Sequence, residues 1–584
     1  MNSPRSSRRR LALAIVVTFA IAAVFAARLV DIQLVRADQL NAESLNKRAI
    51  ATTTYAPRGQ IVDTNGVVLA DTVSRYDVTA SPLNINSFTR TAKDGTKTAV
   101  SVMAAATEIA TLTKQDPTAV FLSITRNPKS DYAIVAKAVD TATMRAIDKL
   151  NIPGIYFQRH PKRTYPDGAV AGNLVGYMGT DGPGGGLELS ANTCLASTNG
   201  SSTYEQGADG VQLPGSTVTS KAPRPGGTLK LSIDQDLNWF VQQAIAEQGT
   251  AIQAQSATAV VLRIKDSHLM AVADWPSVDP NNVDATPVAN FGSLAFAAQY
   301  EPGSVFKAMS AAMLIDSRIG SPTMQATVPS SWVTPEGGRI RDAFAHATER
   351  LTLTGVLQQS SNVGMSMLGS QVPAPLRYEY MKKFGLGQPT AVNFLGEATG
   401  SIQKLPWDDL TKYNVLYGQG VSATALQVAA IFATLGNGGV RLPLALVESC
   451  TRPDGTVSDV PSTQGIRVVS ENSAKTVVNM LESVVDSGEL SKLVKIPGYR
   501  VAGKSGTAEM AANGAYTGDR VVSFAGIAPA EDPQYVVVVT YTKPVTIKTS
   551  AAAAPTFHKI MSQVLTKYRV PPSTTPSTYP PTNW

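Results

Sequence analysis

The chain has 584 residues, a length that exceeds a single hydrophobic core and predicts roughly two to four domains. Its 43% hydrophobic and 16% charged content is that of a folded protein and excludes a disordered one. The net charge is +7, but four of these charges lie within the first ten residues. The small net charge of the rest of the chain argues against a nucleic-acid-binding protein.

A basic tail over residues 1–10 precedes an apolar segment over 11–30. The apolar segment approaches the roughly 20 residues that span a bilayer, and the arginines ahead of it predict a cytoplasmic N-terminus. A cleaved signal peptide is the alternative, but Ala26-Ala27-Arg28 is a poor cleavage site and the apolar pattern continues as far as Leu40. We therefore expect an uncleaved membrane anchor, with everything after about residue 31 outside the cytoplasmic membrane.

From about residue 51 to residue 225 the composition is mixed, with short alternating runs and many Gly and Pro residues. The glycine-rich part over 181–226 predicts loops. Elsewhere the patterns predict strands over Tyr76–Ala80 and Tyr132–Lys137 and helices over Ala99–Leu112 and Thr141–Leu150. We interpret 31–225 as one elongated α+β domain.

A second composition begins near Gly227 and defines a domain over 226–568. It opens with a strand, a helix and a strand hairpin, predicted over Thr228–Ile233, Asp236–Glu247, Ala257–Ile264 and His268–Asp274. It closes with two strands and a helix, predicted over Val522–Ile527, Tyr535–Tyr541 and Phe557–Tyr568. Strands at both ends of a helical middle predict an α+β or three-layer domain. The Pro- and Thr-rich residues 569–584 are predicted to be disordered.

Three short motifs follow one another inside the second domain. They are Ser304-Val-Phe-Lys307, Ser360-Ser361-Asn362 and Lys504-Ser505-Gly506-Thr507. Each is weak alone, since Ser44-Leu-Asn-Lys47 fits the first pattern and Ser470-Glu-Asn472 fits the second. Context favours the ordered set, because Pro302-Gly303 ahead of a helical run places Ser304 in the first helical turn, where Lys307 shares its face.

The residue types of this set fit acyl transfer. A serine hydroxyl such as that of Ser304 is a poor nucleophile until a base takes its proton. With no suitable histidine, the base would be Lys307, made neutral by burial and by the like charge of Lys504. Ser360 can relay a proton to the leaving amine, and Asn362 can hold a substrate amide.

The third motif fits a substrate carboxylate. Lys504 with the hydroxyls of Ser505 and Thr507 can bind it, and Gly506 would let a ligand backbone lie close to the strand. The backbone N–H groups of Ser304 and Thr507 are candidates for an oxyanion hole. The alternative is that Ser304 is a plain helix cap and Lys504 a solvated lysine, which the complete set of motifs disfavours.

Cysteines and histidines are scarce. Cys194 and Cys450 make neither a disulfide framework nor a Cys-type zinc site. One bridge and two buried thiols both fit the sequence, and the sequence favours the thiols because pairing requires close Cα atoms. The four histidines are scattered, and none stands at metal-ligand spacing from another. We therefore expect neither a metal site nor a Ser-His triad.

The motifs together resemble the class B penicillin-binding proteins, which are monofunctional peptidoglycan D,D-transpeptidases, and most closely their septal, FtsI-like branch. The likeness extends to Tyr417-Gly-Gln-Gly-Val-Ser422 and Trp275-Pro-Ser-Val-Asp-Pro-Asn281 in the second domain. In the first domain, Pro57-Arg58-Gly59-Gln-Ile61-Val-Asp63-Thr-Asn65-Gly66, Arg163-Thr-Tyr165-Pro166 and Gly186-Leu187-Glu188 resemble the family's pedestal.

The resemblance implies a fold and a reaction. It implies an α+β fold with an N-terminal transmembrane helix, a pedestal (dimerisation-type) domain and a transpeptidase domain with an antiparallel sheet flanked by helices and an all-helical subdomain. The implied substrate is the D-Ala-D-Ala end of a stem peptide, and β-lactams are implied covalent inhibitors. The implied partners are an FtsW-like glycan polymerase and other division proteins. No cofactor, metal or nucleic acid is implied.

The resemblance also assigns structural roles in the pedestal to Arg58, Gly59, Asp63 and Glu188, and we expect Arg58 and Glu188 to form an ion pair. The family usually has a second Arg where this chain has Thr64, which predicts one weaker ion pair. Three alternatives stay open: a side-wall transpeptidase, a β-lactam sensor or β-lactamase, and a catalytically silent scaffold. Filaments on depletion would favour the septal role, and rounded cells the side-wall role.

Overall fold

The computed structural model describes residues 4–91, 94–205, 213, 215–512 and 515–584. The chain divides into two compact units. The first unit consists of Met1–Pro57, Ser74–Lys162 and Ser197–Pro225, and the second consists of Arg58–Val73, Arg163–Ala196 and Gly226–Trp584. This division differs from the single boundary at residue 226 that the change of composition predicts.

The first unit begins with a long apolar helix. The helix Pro4–Val30 continues through a π-helical turn, Asp31–Val35, to a further helix, Ala37–Arg48. The stretch Ser7–Val35 has a mean hydropathy of 2.5, and its length and composition suit a helix that crosses a membrane. The predicted apolar segment over 11–30 is therefore helical throughout, as a membrane anchor requires.

The remainder of the first unit is α+β, and its core is formed by residues such as Val78, Ile109 and Ile124. Its helices are Val102–Thr113, Pro117–Thr125 and Thr141–Asp148. Its strands are Ala49–Thr54, Phe88–Thr91, Lys97–Val100, Ala133–Val139, Gly200–Glu205 and Val218–Lys221, with parts of Val68–Ala80 and Ile155–Thr164. The strands and helices predicted for this region all lie within these elements or overlap them.

The loop predicted over 181–226 is wrong in part. Gly200–Glu205 is a strand because it pairs on one side with Ala49–Thr54 and on the other with Val218–Lys221. Its pairing partners are distant in the sequence or lie beyond a glycine-rich stretch, so local composition does not reveal it. Residues 206–212 and 214 of the predicted loop lie outside the described residues.

The second unit is built on a five-stranded antiparallel sheet. Its strands, in spatial order, are His268–Trp275, Ser256–Arg263, Tyr535–Thr542, Ala515–Ala528 and Ala502–Ala512. Alternate residues of the sheet enter different cores: Val261 and Val537 pack with the helices Gln235–Ala251 and Ala554–Lys567, whereas Val260 and Val538 face the opposite core. Both faces are therefore covered, which gives the predicted three-layer arrangement.

A helical region packs on one face of this sheet. Its main helices are Lys307–Asp316, Leu353–Gln358, Asn362–Gly369, Ala374–Lys383, Ala425–Gly436 and Glu471–Ser487. Shorter helices on this side are Gly172–Val175, Gly186–Ser190, Asn192–Leu195, Leu294–Ala297 and Thr411–Asn414, whereas Ser491–Val494 packs in the core on the opposite face. Short strand pairs lie between them, at Gln325–Val328 with Glu349–Thr352, Ser331–Val333 with Arg339–Arg341, Ser401–Ile402 with Val421–Ser422, and Val440–Arg441 with Ile466–Arg467.

A second sheet of this unit brings the two cysteines together. Thr228–Leu231 pairs in parallel with Ile61–Val62 and antiparallel with Val447–Thr451, so that Cys450 lies opposite Leu229. The N–H of Gly227 donates to the carbonyl oxygen of Cys194 at 2.8 Å. The two cysteines form a disulfide with their Cα atoms 6.0 Å apart. The expectation of two separate thiols is therefore wrong, because strand pairing closes a separation of 256 residues.

The predicted pair between Arg58 and Glu188 is present, and it is part of a larger cluster. The Glu188 carboxylate is fully buried and lies 2.6 Å from the Nε atoms of both Arg58 and Arg163. The Tyr165 hydroxyl lies 3.4 Å from it. Two guanidinium groups on one buried carboxylate offset its desolvation and bind Arg58–Val73 to Arg163–Ala196 within this unit.

The other pedestal residues have local reasons for their identity. A Cβ on Gly59 would lie 1.8 Å from the Gly227 carbonyl oxygen, so only glycine fits there. Asp63 is buried and accepts hydrogen bonds from the N–H groups of Val67 and Gln235 at 2.7 and 3.0 Å. Thr64 donates its hydroxyl to the Glu448 carboxylate at 2.9 Å, so a hydrogen bond takes the place of the ion pair expected for an arginine at this position.

The prediction of a disordered tail over 569–584 is also wrong. Val570 is buried, and the N–H of Ser573 donates to the Gly498 carbonyl oxygen at 2.9 Å. Further along, the N–H of Thr352 donates to the Thr582 carbonyl oxygen at 3.0 Å, and Asn583 forms an antiparallel bridge with Leu351. Proline removes backbone donors but leaves carbonyl acceptors, so a Pro-rich segment can still pair with a strand edge.

The buried cluster predicts a non-additive pair of substitutions. Glu188→Ala should lower the free energy of unfolding by about 3–5 kcal/mol, because it leaves two largely buried guanidinium groups without their carboxylate. Arg58→Ala should lower it by less, because Arg163 still pairs with Glu188. The double variant should lose less than the sum, which a denaturant double-mutant cycle measures. Lys475 and Glu471, an exposed pair 2.6 Å apart, are the control, with at most about 0.5 kcal/mol of coupling. Full additivity for Arg58 and Glu188 would contradict the prediction.

Candidate active site

The first motif lies on a tight turn ahead of a buried helix. Gly303–Phe306 forms a 3₁₀ turn, and the helix Lys307–Asp316 follows it directly. Ser304 therefore lies in the turn, and Lys307 is the first residue of the helix. Gly303 has a φ of +60°, and a Cβ there would lie 2.9 Å from the Thr507 carbonyl oxygen. Glycine is needed for both reasons.

The Lys307 amine is fully buried and lies at the centre of the site. Its Nζ is 2.8 Å from Ser304 Oγ, 2.6 Å from the Ser360 carbonyl oxygen and 2.7 Å from Asn362 Oδ1. A neutral amine has two hydrogens and one lone pair. It can donate to the two carbonyl-type oxygens and accept the proton of Ser304, so the contacts suit a neutral lysine as well as a charged one.

Ser360 bridges the two lysines of the motifs. Its Oγ is 2.9 Å from Lys504 Nζ and 3.4 Å from Lys307 Nζ. The residue lies between the helices Leu353–Gln358 and Asn362–Gly369 and has a φ of +59°, a left-handed conformation that is uncommon for serine. Strained backbone of this kind is found preferentially at functional sites.

Burial governs the charge of both lysines. Burial and the neighbouring Lys504 hold the pKa of Lys307 well below its usual range, and the Asp342 carboxylate opposes this shift. Burial alone lowers the pKa of Lys504 to about 7. Among the described residues, no carboxylate lies within ion-pair distance of either amine. The direction agrees with the sequence argument that Lys307 is neutral when it acts.

The third motif lies on the edge strand of the main sheet. Lys504 is fully buried, whereas Ser505 and Thr507 are partly exposed. A Cβ on Gly506 would lie 2.4 Å from Ser523 Oγ and 3.0 Å from a Val305 methyl group. Packing against the neighbouring strand at Ser523 and against the turn of the first motif therefore favours glycine at this position, independently of any ligand.

A glycine contact and an acidic side chain complete the surroundings of Ser304. The N–H of Gly303 donates to the Gly418 carbonyl oxygen at 3.0 Å, and a Cβ on Gly418 would lie 2.2 Å from the Gly303 carbonyl oxygen. Glu301 accepts from the N–H of Gly420 at 2.9 Å and from the Tyr516 hydroxyl at 3.2 Å. The Tyr417–Ser422 segment thus supports the nucleophile turn directly.

The competing motif matches have structural explanations. Ser470 is the N-cap of the helix Glu471–Ser487, where its side chain accepts from the N–H of Ser473. Asn192, at the end of another Ser-x-Asn match, accepts from Arg58 in the buried cluster. Ser44 and Lys47 lie on the helix Ala37–Arg48 of the first unit. The structure brings together only the motif set that order and context favour.

Sequence reasoning missed Asp342. Its carboxylate accepts a hydrogen bond from the Ser361 hydroxyl at 2.7 Å and from the N–H groups of Asn362 and Val363. It lies 20 residues before Asn362, just after a short strand. An isolated aspartate in a loop carries no local pattern that would single it out.

The chain matches known protein families over most of its length. Residues 257–562 match the penicillin-binding protein transpeptidase domain, and residues 53–183 match the penicillin-binding protein dimerisation domain. Penicillin-binding protein PbpB of Mycolicibacterium smegmatis is 35% identical, over 97% of this chain and 90% of its own. Peptidoglycan D,D-transpeptidase FtsI of Escherichia coli is 32% identical, over 77% of this chain and 74% of its own.

A solved structure is similar over nearly the whole chain. It is penicillin-binding protein 3 from Mycobacterium tuberculosis in complex with aztreonam, with a TM-score of 0.69 and 28% sequence identity. The similarity covers 91% of this chain and 100% of that one. The fold is therefore similar to that of a protein whose structure was solved in complex with a β-lactam.

The Gly303 contact generates a prediction of stability. Gly303→Ala should be less stable than Gly337→Ala, although both positions have a positive φ, at +60° and +89°. Gly337 has no neighbouring atom within 4 Å of the added Cβ, so it loses only about 1 kcal/mol to backbone strain. Gly303→Ala should lose roughly 1–3 kcal/mol more from overpacking against Thr507. Thermal or denaturant unfolding measures the difference, and equal losses would contradict the prediction.

Proposed function

The chain belongs to the class B penicillin-binding proteins, which are peptidoglycan D,D-transpeptidases, and from this premise we propose that it cross-links stem peptides at the division septum through an acyl-enzyme on Ser304. The observation that carries the proposal is the 2.8 Å contact between Ser304 Oγ and the buried Lys307 Nζ. Ser360 Oγ also lies 2.9 Å from a buried amine, that of Lys504, but Ser304 is the serine at the start of the turn that leads into the Lys307 helix.

In this proposal Lys307 is the general base. Burial and Lys504 favour its neutral form, so its lone pair is available to the Ser304 proton. The Ser304 oxygen attacks the carbonyl carbon of the penultimate D-Ala, and the proton passes to Lys307. The contacts to the Ser360 carbonyl oxygen and Asn362 Oδ1 stabilise the ammonium that forms.

Collapse of the tetrahedral intermediate needs a proton on the leaving amine. We assign the relay to Ser360, because its hydroxyl lies between the two amines, 3.4 Å from Lys307 and 2.9 Å from Lys504. The proton leaves Lys307, passes through the Ser360 hydroxyl and reaches the nitrogen of the terminal D-Ala as the peptide bond breaks. An amine of a neighbouring stem then attacks the ester, gives up its proton by the reverse route, and releases Ser304.

We assign substrate binding to the third motif and to Asn362. Lys504 with the hydroxyls of Ser505 and Thr507 binds the terminal carboxylate, and Asn362 holds the substrate amide. The N–H groups of Ser304 and Thr507 stabilise the oxyanion, a donor of this kind being worth about 3–4 kcal/mol of the barrier. A β-lactam carries a carboxylate and a strained amide in the same relation, so it acylates Ser304 and blocks deacylation.

The cellular setting is part of the proposal. In this proposal the apolar helix spans the cytoplasmic membrane once, with residues 1–10 in the cytoplasm and the catalytic region outside. We retain a pedestal within 31–225 and a transpeptidase domain over 226–568 as functional divisions. The septal role and an FtsW-like polymerase partner rest on the resemblance to the FtsI-like branch and on the relatives that carry the FtsI name.

Covalent labelling tests the mechanism. The full chain, in detergent, should form one long-lived adduct with benzylpenicillin by intact-mass spectrometry, and Ser304→Ala should form none. Ser317→Ala, at the C-terminal end of the helix Lys307–Asp316, should label like the wild type, because among the described residues its hydroxyl donates only to the Leu314 carbonyl oxygen. A transient adduct with drug turnover would indicate a β-lactamase, and no adduct in the wild type would leave a silent scaffold.

The Lys504 amine gives the labelling rate a pH dependence. Carboxylate binding needs the charged amine, and with a pKa of about 7 this charge is lost as the pH rises through neutrality. The second-order rate constant of acylation should therefore rise with pH as Lys307 deprotonates and fall above about pH 7. Lys504→Arg should lower the rate but remove the alkaline decline, since a guanidinium stays charged. An alkaline decline that persists in this variant would contradict the assignment.

A further inference from the structure

The Asp342 carboxylate lies at the N-terminus of the helix that carries Asn362. It accepts from the Ser361 hydroxyl at 2.7 Å and from the N–H groups of Asn362 and Val363. These N–H groups lack partners within the helix, and a carboxylate is favoured at that end. The Asp342 side chain is only 8% exposed, so its charge is shielded little by water.

The same loop fixes both ends of the Asn362 side chain. The Nδ2 of Asn362 donates to the Arg341 carbonyl oxygen at 3.1 Å, which leaves Oδ1 to face Lys307 Nζ at 2.7 Å. An amide turned the other way would direct two N–H groups at the lysine. The backbone of Asn362 is held by Asp342 and its amide by Arg341, so the loop determines which atom meets the base.

A histidine holds the other side of the carboxylate. His346 Nε2 lies 3.0 Å from Asp342 Oδ2, and His346 Nδ1 lies 2.7 Å from the Ala347 carbonyl oxygen. Both partners are acceptors, and only the imidazolium has a proton for each. Burial lowers the pKa of His346, but the Ala347 carbonyl oxygen, Asp342 and Glu349 outweigh it, and the net direction is upward.

We propose that Asp342 and His346 are positioning residues for the transpeptidation reaction, which hold the Ser361–Asn362 turn so that Asn362 Oδ1 stays on the general base Lys307. The inference rests on the proposed function, because the role assigned to Asp342 and His346 exists only if Lys307 is the general base. Asp342 makes no contact with Ser304 and acts only through Ser361, Asn362 and its charge.

The charge of the pair gives it a signature that a purely structural role lacks. Asp342 raises the pKa of Lys307 against burial and against Lys504. The groups facing this carboxylate are the Ser361 hydroxyl, the helix N–H groups, His346 and, at longer range, Lys307 and Tyr417. Removing the negative charge should lower the pKa of Lys307, and removing the imidazolium charge should raise it.

The test is the pH profile of benzylpenicillin acylation by the full chain in detergent. In Asp342→Asn the maximal rate constant should fall by about tenfold or more, because Asn362 is less well placed, and the acid limb should move to lower pH. In His346→Gln the amide still donates to Asp342, so most of the rate should remain while the acid limb moves to higher pH. The expected result is therefore that the acid limb moves in opposite directions in the two variants.

Asp316→Asn is the matched control. Asp316 also accepts from a backbone N–H at a helix start, that of Ser470, and from the Tyr380 hydroxyl, each at 2.7 Å, and it makes no contact with the three motifs. This variant should lose stability but keep the wild-type rate and acid limb. If Asp342→Asn keeps both the wild-type rate and limb, or if His346→Gln shows no upward shift, the inference is overturned.

The same experiment separates this inference from the function on which it rests. Wild-type labelling that persists in Ser304→Ala, or no labelling at all, would overturn the proposed function. Labelling that requires Ser304, but whose rate and pH profile do not change when the charge of Asp342 or of His346 is removed, would overturn only the positioning role. If Asp342→Asn fails to fold, the two His346 variants decide the question alone. His346→Gln should show the upward shift of the acid limb, and His346→Ala should be acylated several-fold more slowly than His346→Gln.

Discussion

The burial of two amines beside one serine hydroxyl is the constraint on which the site depends. Lys307 and Lys504 are both fully buried, and Ser360 Oγ lies within 3.4 Å of each. Two ammonium groups in so dry a position would repel one another and lose hydration that the described residues do not replace with a carboxylate. The arrangement is stable when at least one amine is neutral, which is the state that a general base requires.

Close backbone packing makes that burial possible. The nucleophile turn is wedged between the Lys504 strand and the Tyr417–Ser422 segment, and glycine is required on all three sides, at Gly303, Gly418 and Gly506. A methyl group at any of them would approach a neighbouring atom to less than 3.0 Å. The glycines of the three segments therefore let their backbones pack closely around the buried amines, and this links packing to protonation.

Local patterns predicted the parts of this site that are local. The Ser304–Lys307 spacing, the strand that carries Lys504 and the apolar runs of the main-sheet strands follow from local residue patterns and from Pro302-Gly303. The Cys194–Cys450 bridge, the strand Gly200–Glu205 and the ordered tail were missed, because each depends on a partner distant in sequence. Asp342 was missed for the same reason, because its role is visible only from the hydrogen bonds that it accepts from distant N–H groups.

The tail shows how a segment without pattern can serve the site. It adds its carbonyl oxygens to the edge of Glu349–Thr352, the strand that leads into the helix Leu353–Gln358 and on to Ser360. Thr352, the N-cap of that helix, also donates its hydroxyl to the Pro581 carbonyl oxygen at 2.6 Å, and a Cβ on Gly355 would lie 2.0 Å from the Thr582 oxygen. An unpaired strand edge is a site of unwanted association, and covering it also limits the movement of the helix ahead of the strained Ser360. A low-complexity segment can thus hold a fixed position when its carbonyl oxygens accept hydrogen bonds from donors that would otherwise be unpaired.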